Sequence, residues 1–314
     1  MKKAIVLGAT GGMGYALTTE LLSKDVQVTA FARTEKKLQW LFQGENRMKL
    51  YQGNAFSQTE LNEAIRGNEI IFHAINLPYG DWQTELPKLT QNIIASAKAN
   101  SAKLAIVDNI YSYGRSRGEK VKETTPKMPH TRKGKMRLEM ESMYKESGVP
   151  YIIAHFPDFY GPFVENSLLN FTLYKMIEHK KAQFVGDQTI AREHIFTPDG
   201  AKALVQLVEN ADAYHQNWNI PAFDVITGDE IIRIIRKLTN NEKKITTVTK
   251  TMLRFAGLFD RQMREMVEMQ YLNEDPVVLD GEKYEKRFGP LPKTSYEEGI
   301  RKTIEAAPVV SWWR

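Results

Sequence analysis

Close to its start the chain carries "GATGGMG", with glycines at Gly8, Gly11 and Gly14. The stretch follows the apolar run "AIVL" and opens the helical pattern "MGYALTTELLSK". That spacing suits one kind of chemistry. Gly8 permits a tight turn out of a strand, Gly11 lets the backbone approach a pyrophosphate, and Gly14 allows close packing of the helix on the strand. The helix start then offers unpaired N–H groups and the positive end of its dipole to an anion. A bound dinucleotide is expected. The end of the next apolar run decides which one. An NAD-preferring site usually places a carboxylate there for the ribose hydroxyls. This chain has "FARTEKK" instead, with Arg33 followed by Thr34, Lys36 and Lys37. A guanidinium meets a phosphate with two parallel hydrogen bonds, so NADP is expected over NAD.

Other chemistries are poorly served. Among 314 residues there is no cysteine, which removes thiolate catalysis, disulfides and cysteine-based metal sites. The six histidines form no close ligand pair, and no metal is expected. A net charge of +5, mixed along the chain, brings no arginine-rich helix or RNA-binding aromatic signature, so nucleic acid is not expected as a partner. No window approaches the ~20 apolar residues of a membrane span. The expectation is a soluble, cytoplasmic protein with a small-molecule substrate and no membrane partner.

These residues need elements to position them. Short apolar runs alternate with helical patterns through the first half: "KAIVLGA", "VQVTAFAR", "MKLYQGN", "NEIIFHAIN", "AKLAIVDN" and "PYIIAHFP" read as strands, each pair separated by a helix. That rhythm predicts right-handed crossovers and a doubly wound, Rossmann-type α/β parallel sheet over residues 1–160. Past Pro157 the rhythm changes. Residues 161–314 read as a smaller, mixed α+β substrate lobe, with segments around 184–220 returning to the first domain. The stretch from Met252 to Leu272, rich in methionine, reads as core packing of the small lobe, with a lid or a partner surface as the alternative. Two tryptophans, Trp312 and Trp313, are expected to dock on the fold or in an oligomer contact.

Taken together, these motifs resemble the short-chain dehydrogenase/reductase superfamily, in particular its extended branch, the NAD-dependent epimerase/dehydratase family. "GATGGMG" matches the Gly-x-Thr-Gly-x-x-Gly fingerprint, and "DFYGP" (158–162) the Tyr-Gly-Pro turn into the substrate lobe. "REHIFTPDGAKAL" is similar to the family's helix with an early acid, here Asp199, and "GPLPKTSYEEGIRKTI" to its closing stretch. The resemblance implies cofactor contacts from Gly8, Thr10, Gly11, Gly12, Met13 and Gly14. It adds Arg33, then Asn54 and Ala55 beside the adenine, and His73, Ala74, Ile75 and Asn76 after the fourth strand. Phe156, Pro157 and Phe159 complete the set. If the chain is an enzyme, a substrate pocket lined by Tyr79, Trp82, Tyr113 and Arg192 is expected over the nicotinamide, and a homodimer is one expectation for its assembly, since many relatives of this branch pair through two long helices.

The proton-moving residues depart from the family. Redox members use a Tyr-x-x-x-Lys pair with a Ser or Thr. In "HTRKGKMR" Lys135 takes the Lys place but Thr131 the Tyr place, and an alcohol hydroxyl titrates too high to replace a phenol. The Ser/Thr place falls at Asn109, or at Ser112. Tyr113-Gly114 is family-like, Tyr111 lies just before it, and His155 stands where an arginine is common. Three readings compete. The chain is a reductase or epimerase-like enzyme with its acid elsewhere, at Tyr113, Tyr111 or His73, and with Lys135 and Asn109 kept in the site. It binds NADP without turnover and reports redox state to a protein partner. Or it catalyses a non-redox isomerisation or dehydration.

Overall fold

The fold is that of a computed structural model describing residues 1–165 and 167–310. Five strands, β1 (Lys3–Leu7), β2 (Gln27–Ala32), β3 (Met48–Gln52), β4 (Ile70–His73) and β5 (Lys103–Asn109), alternate with the helices α1 (Gly12–Ser23), α2 (Glu35–Leu41), α3 (Gln58–Ile65) and α4 (Trp82–Ala99). After a two-residue strand β6 (Lys120–Val121) come α5 (Arg132–Glu146) and β7 (Tyr151–Phe156). The main sheet is completed much later by β11 (Gln216–Asn219). Its order is β11-β7-β5-β4-β1-β2-β3, and every pairing is parallel. A parallel sheet wound on both faces must be apolar on both. Accordingly Ala4, Val6, Phe72, Ala154 and Phe156 face a core shared with α1 and a later helix over Thr197–Val208, while Ile5, Leu7, Ile71, Leu104 and Ile153 face α3, α4 and α5.

The remaining chain builds a lobe over the carboxyl end of this sheet. It contains β8 (Asp158–Tyr160), α6 (Leu168–Ile177), β9 (Ala182–Val185) and β10 (Arg192–Phe196), followed by α7 (Thr197–Val208). After β11 come β12 (Val225–Ile226), α8 (Gly228–Thr239), β13 (Ile245–Val248), α9 (Lys250–Ala256), α10 (Arg261–Val267) and α11 (Tyr271–Glu274). β14 (Val278–Leu279), α12 (Glu282–Phe288) and α13 (Tyr296–Val310) close the described chain. Within 184–220 the parts differ in allegiance. β9 pairs with β13 and β10 with β8 inside the lobe, whereas α7 packs in the same core as α1 and β11 joins the main sheet. α12 also returns, burying Tyr284 in that core. Trp312 and Trp313 lie outside the described residues.

The stretch 252–272 is not one helix. Gly257 sits so close to α10 that an added Cβ would meet Arg264 Cα at 2.8 Å, and Asp260 caps α10 by accepting from the Gln262 and Met263 amides. A tight two-helix hairpin results. Its far end buries Met269, Tyr271 and Leu272 against Ile110, Tyr113 and Leu279, while Phe255, Leu258 and Phe259 face solvent.

Candidate cofactor cleft and active site

The glycine turn is built as a phosphate cradle. Gly8 has a φ of +85°, and a Cβ there would lie 2.9 Å from the Ala74 carbonyl oxygen. Gly14 brings α1 so near β1 that a Cβ would fall 2.0 Å from the Gly8 carbonyl. A Cβ added at Gly11, the N-cap of α1, would meet only the Gly8 oxygen, at 3.5 Å, and as a glycine this residue provides no side-chain cap. The first-turn amides, which have no partner within a helix, therefore remain available to an anion, and these residues fit a pyrophosphate. Met13 is buried in the core behind the turn. Val164 packs on Gly12, where a Cβ would meet its Cγ2 at 2.3 Å, and Phe163 stacks edge-on against Tyr15. The segment after the Tyr160-Gly161-Pro162 turn thus closes over the mouth of α1.

Along the cleft, Arg33 stands exposed at the end of β2 with no side-chain partner among the described residues. Lys37 instead pairs with Glu165 at 2.7 Å. Asn54 turns its Oδ1 back to the Phe56 amide, and Ala55 is buried beside it. His73 is buried, with its Nδ1 accepting from the Ile75 amide at 3.4 Å. Burial, helped by Arg137, pulls its pKa down to about 3, so it is neutral and no proton donor of the imidazolium kind. Asn76 is exposed; Phe156 lies in the core against Phe159.

The active-site wall departs at α5 from what the family resemblance implies. Thr131 is the N-cap of that helix, its hydroxyl accepting from the Gly134 amide at 3.0 Å. Gly134 packs against the Tyr111 carbonyl, where a Cβ would come within 2.6 Å. This contact sets the phase of the helix. Residues two apart point roughly 200° apart, and Lys135 faces solvent while Lys133 and Arg137 face inward. Lys133 is 2% exposed and bridges Glu265 at 2.6 Å and Glu268 at 3.2 Å, with its ammonium 5.0 Å above the Tyr79 ring. Arg137 pairs with Asp108 at 3.4 Å and lies 4.4 Å over Trp82. The pair spaced by four that the fold presents to the site is therefore Lys133–Arg137, displaced by two from the pair read off the sequence. Trp82, itself held by its indole N–H on the Leu77 carbonyl, is the platform under Arg137.

Of the tyrosines, Tyr79 and Tyr111 share a hydrogen bond of 2.6 Å between their hydroxyls. Burial pushes Tyr79 up to about 12 and Tyr111 well above its ordinary value, and nearby Asp158 pushes in the same direction. Both stay protonated near neutrality. Asn109 accepts from the Tyr111 amide through Oδ1 and keeps its Nδ2 group free of any side-chain partner among the described residues. Tyr113 is turned elsewhere: it is buried, and its hydroxyl is donated to Asn219 at 2.6 Å. Arg192 lies opposite, hydrogen-bonded to both Asp158 and Asn273. Tyr271, in the roof, has a buried hydroxyl without a hydrogen-bond partner among the described residues. Tyr79, Tyr111, Asn109 and Arg192 are thus gathered in one region, roofed by residues 265–273, while Tyr113 and Trp82 belong to the wall behind it.

That wall contains a buried polar layer. Asp108, Glu141 and His155 lie close enough to be weighed as a metal site. Their charges are already met by the protein, because Lys127 is hydrogen-bonded to Glu141 and to His155 Nε2 and Arg137 pairs with Asp108. Burial alone would raise the Glu141 carboxyl, but the neighbouring His155 ring and the Lys127 and Lys145 ammonium groups act against it and hold it below the usual carboxylate range. Burial, with Lys127 beside it, holds His155 near 4, neutral, and its Nδ1–H points to the Asn109 carbonyl at 3.1 Å. Glu193 and His194 are likewise buried in the lobe and do not face the site; Asp199 accepts from the Thr294 amide and hydroxyl.

The sequence matches the family described as NAD(P)H-binding over residues 8–195. Among curated proteins, a trifunctional UDP-glucose 4,6-dehydratase/epimerase/reductase of Arabidopsis thaliana is 25% identical over 169 residues, covering 53% of this chain and 22% of that protein. The dTDP-glucose 4,6-dehydratase of Neisseria meningitidis serogroup B is 24% identical over 170 residues, 53% of this chain and 45% of that one. The alignments thus span less than half the length of these relatives. A crystal structure of dTDP-glucose 4,6-dehydratase from Bacillus anthracis, in complex with NAD, superposes with a TM-score of 0.81 at 18% identity, over 100% of this chain and 98% of that one. From the glycine turn to the strand bearing Arg192, the chain belongs to the NAD(P)H-binding family, and its fold is that of the dTDP-glucose 4,6-dehydratase structure.

Proposed function

We propose that this protein is an NADP-dependent oxidoreductase of the epimerase/dehydratase kind that reduces a small carbonyl substrate, with Tyr111 as the proton donor. The observation that carries the reading is the Tyr79–Tyr111 hydroxyl pair at 2.6 Å, beneath a roof anchored by Lys133. The glycine turn would hold the pyrophosphate, and Arg33 would meet the ribose phosphate that distinguishes NADP. When bound and reduced, the nicotinamide supplies a hydride to the carbonyl carbon. Tyr111 gives its proton to the carbonyl oxygen, and Tyr79, hydrogen-bonded to it, stabilises the phenolate left behind. The Asn109 amide can polarise the same oxygen, and the roof excludes water. Burial keeps both phenols protonated near neutrality, so the proton that carbonyl reduction consumes is in place, whereas alcohol oxidation would need a phenolate that burial disfavours. The unpaired Tyr271 hydroxyl and Arg192 would orient a polar group of the substrate. Relatives that act on nucleotide sugars make these the first class to try, followed by simple ketones and aldehydes.

Steady-state NADPH oxidation across such a panel tests the reading. Tyr111→Phe is expected to lower kcat by about a hundredfold or more while leaving coenzyme affinity unchanged. A second reading, NADP binding without turnover, is supported by the raised phenol pKa values, which make both weak acids, and by the apolar surface at Phe255 and Phe259. Micromolar coenzyme binding with no turnover of any substrate would favour it.

A further inference from the structure

We propose that the hairpin of α9 and α10 docks on anionic phospholipid surfaces. Four large apolar side chains crowd its tip. Phe259 is 87% exposed, Phe255 69%, Leu258 68%, and Met252 46%. Only Leu253 of α9 is turned inward. Isolated exposed apolar residues are ordinary, but a contiguous cluster marks a contact surface. The cluster is held rigidly. Thr249 caps α9, the Phe259 amide donates to the Ala256 carbonyl, Asp260 caps α10, and Gly257 allows the two helices to touch.

Charge identifies the partner. Between 250 and 264 the chain carries Lys250, Arg254, Arg261 and Arg264 against the single acid Asp260, whose carboxylate is occupied as the α10 cap. Lys250 is paired with Glu274 and Arg261 donates to the Gly80 carbonyl, but Arg254 and Arg264 are exposed and have no carboxylate partner among the described residues. An apolar tip ringed by cations matches a bilayer whose headgroups are negative and whose acyl boundary accepts aromatic side chains. The same tip is small for a soluble partner, since a stable protein interface needs roughly 800 Å² from each side. This is a peripheral contact, unlike the membrane span that hydropathy argues against. α10 runs on into Glu265, Glu268 and Tyr271, so docking would turn the roofed side of the active site toward the lipid.

The test is co-sedimentation of the full-length protein with vesicles of phosphatidylcholine alone, or with about a third of the lipid replaced by phosphatidylglycerol. Binding to the anionic vesicles should exceed binding to the neutral ones by at least ~tenfold and should fall as salt is raised. Phe255→Ser/Phe259→Ser and Arg254→Glu/Arg264→Glu should each weaken it by ~tenfold or more while melting like the parent, because all four side chains are exposed. Absence of binding, equal binding to both vesicle types, or variants indistinguishable from the parent would overturn the proposal. So would light scattering that shows self-association abolished by Phe255→Ser/Phe259→Ser with no lipid binding, because the hairpin would then join copies of this chain.

Discussion

Lys133 is the clasp between α5 and the roof, and removing its counter-charges should expose how the active site is kept shut. In Glu265→Gln/Glu268→Gln the ammonium remains 2% exposed but loses both carboxylates, at 2.6 and 3.2 Å. A buried charge stripped of its partner costs about 3–5 kcal/mol. If the roof stays closed, the full penalty should appear in urea denaturation as a shifted midpoint. If the roof opens to hydrate Lys133, the loss should level off at the smaller cost of undocking residues 261–275. In that case amide exchange in α10 and α11 should rise while β1, β4 and β5 stay protected. Lys133→Met in the same background removes the stranded charge, and should restore at least half of what was lost. A double variant within 1 kcal/mol of the parent and with unchanged exchange would refute the clasp. So would a Lys133→Met triple variant that gains nothing.

Arg33→Ala should weaken NADP by about 2 kcal/mol, some thirtyfold, and leave NAD nearly unchanged; calorimetric titration with both coenzymes checks this, and equal losses would remove the preference for NADP. Gly14→Ala should abolish coenzyme binding or soluble folding, since its methyl group would sit 2.0 Å from the Gly8 carbonyl oxygen, whereas Gly44→Ala, with nothing within 4 Å but a φ of +80°, should cost only about 1 kcal/mol in melting experiments. Glu193 is held protonated by burial, its pKa raised to about 7. The native state therefore binds the extra proton between the ordinary carboxyl range and pH 7. Stability from this group is present below that range and is lost as pH rises through it, by about 3 kcal/mol at completion. Chemical denaturation between pH 4.5 and 8 should show that slope in the parent and lack it in Glu193→Gln.

What could be read from the sequence followed how local the information was. The glycine turn, the alternation of strands and helices, and the lobe helix over Gly228–Thr239 with its Thr227–Glu230 capping box are written in consecutive residues. The phase of α5 is not. It depends on Gly134 lying against the Tyr111 carbonyl, a contact across the loop between them, and the family resemblance selected Lys135 where Lys133 and Arg137 turn inward. Glu265, Glu268, Tyr271 and Asn273 reach the site from more than a hundred residues downstream of α5, and no periodicity links them to it. The buried layer did leave a sign. His155 interrupts "YIIAHF", a strand otherwise apolar on both faces, and Asp108 does the same near the end of "KLAIVDN". A polar group in such a strand needs a buried partner, and the partners, Lys127 and Arg137, lie in the densely basic, turn-rich stretch 112–137, which by sequence reads equally well as a loop closing over phosphates or as solvated surface. In 252–272 Gly257 and Asp260 mark the break that splits an apparently continuous amphipathic segment.

The order in which these parts leave the ribosome has a consequence. The strands that would grip the coenzyme, β1 to β5 and β7, are all synthesised before residue 157, whereas the clasping carboxylates come after residue 260. During translation the nascent dinucleotide half therefore spends an interval with Tyr79, Tyr111 and Lys133 bared to water and to whatever else is present. Large chains are most prone to aggregation in such unfinished states. A dinucleotide that seats early at the mouth of α1 would shorten the exposure and so act as a folding aid.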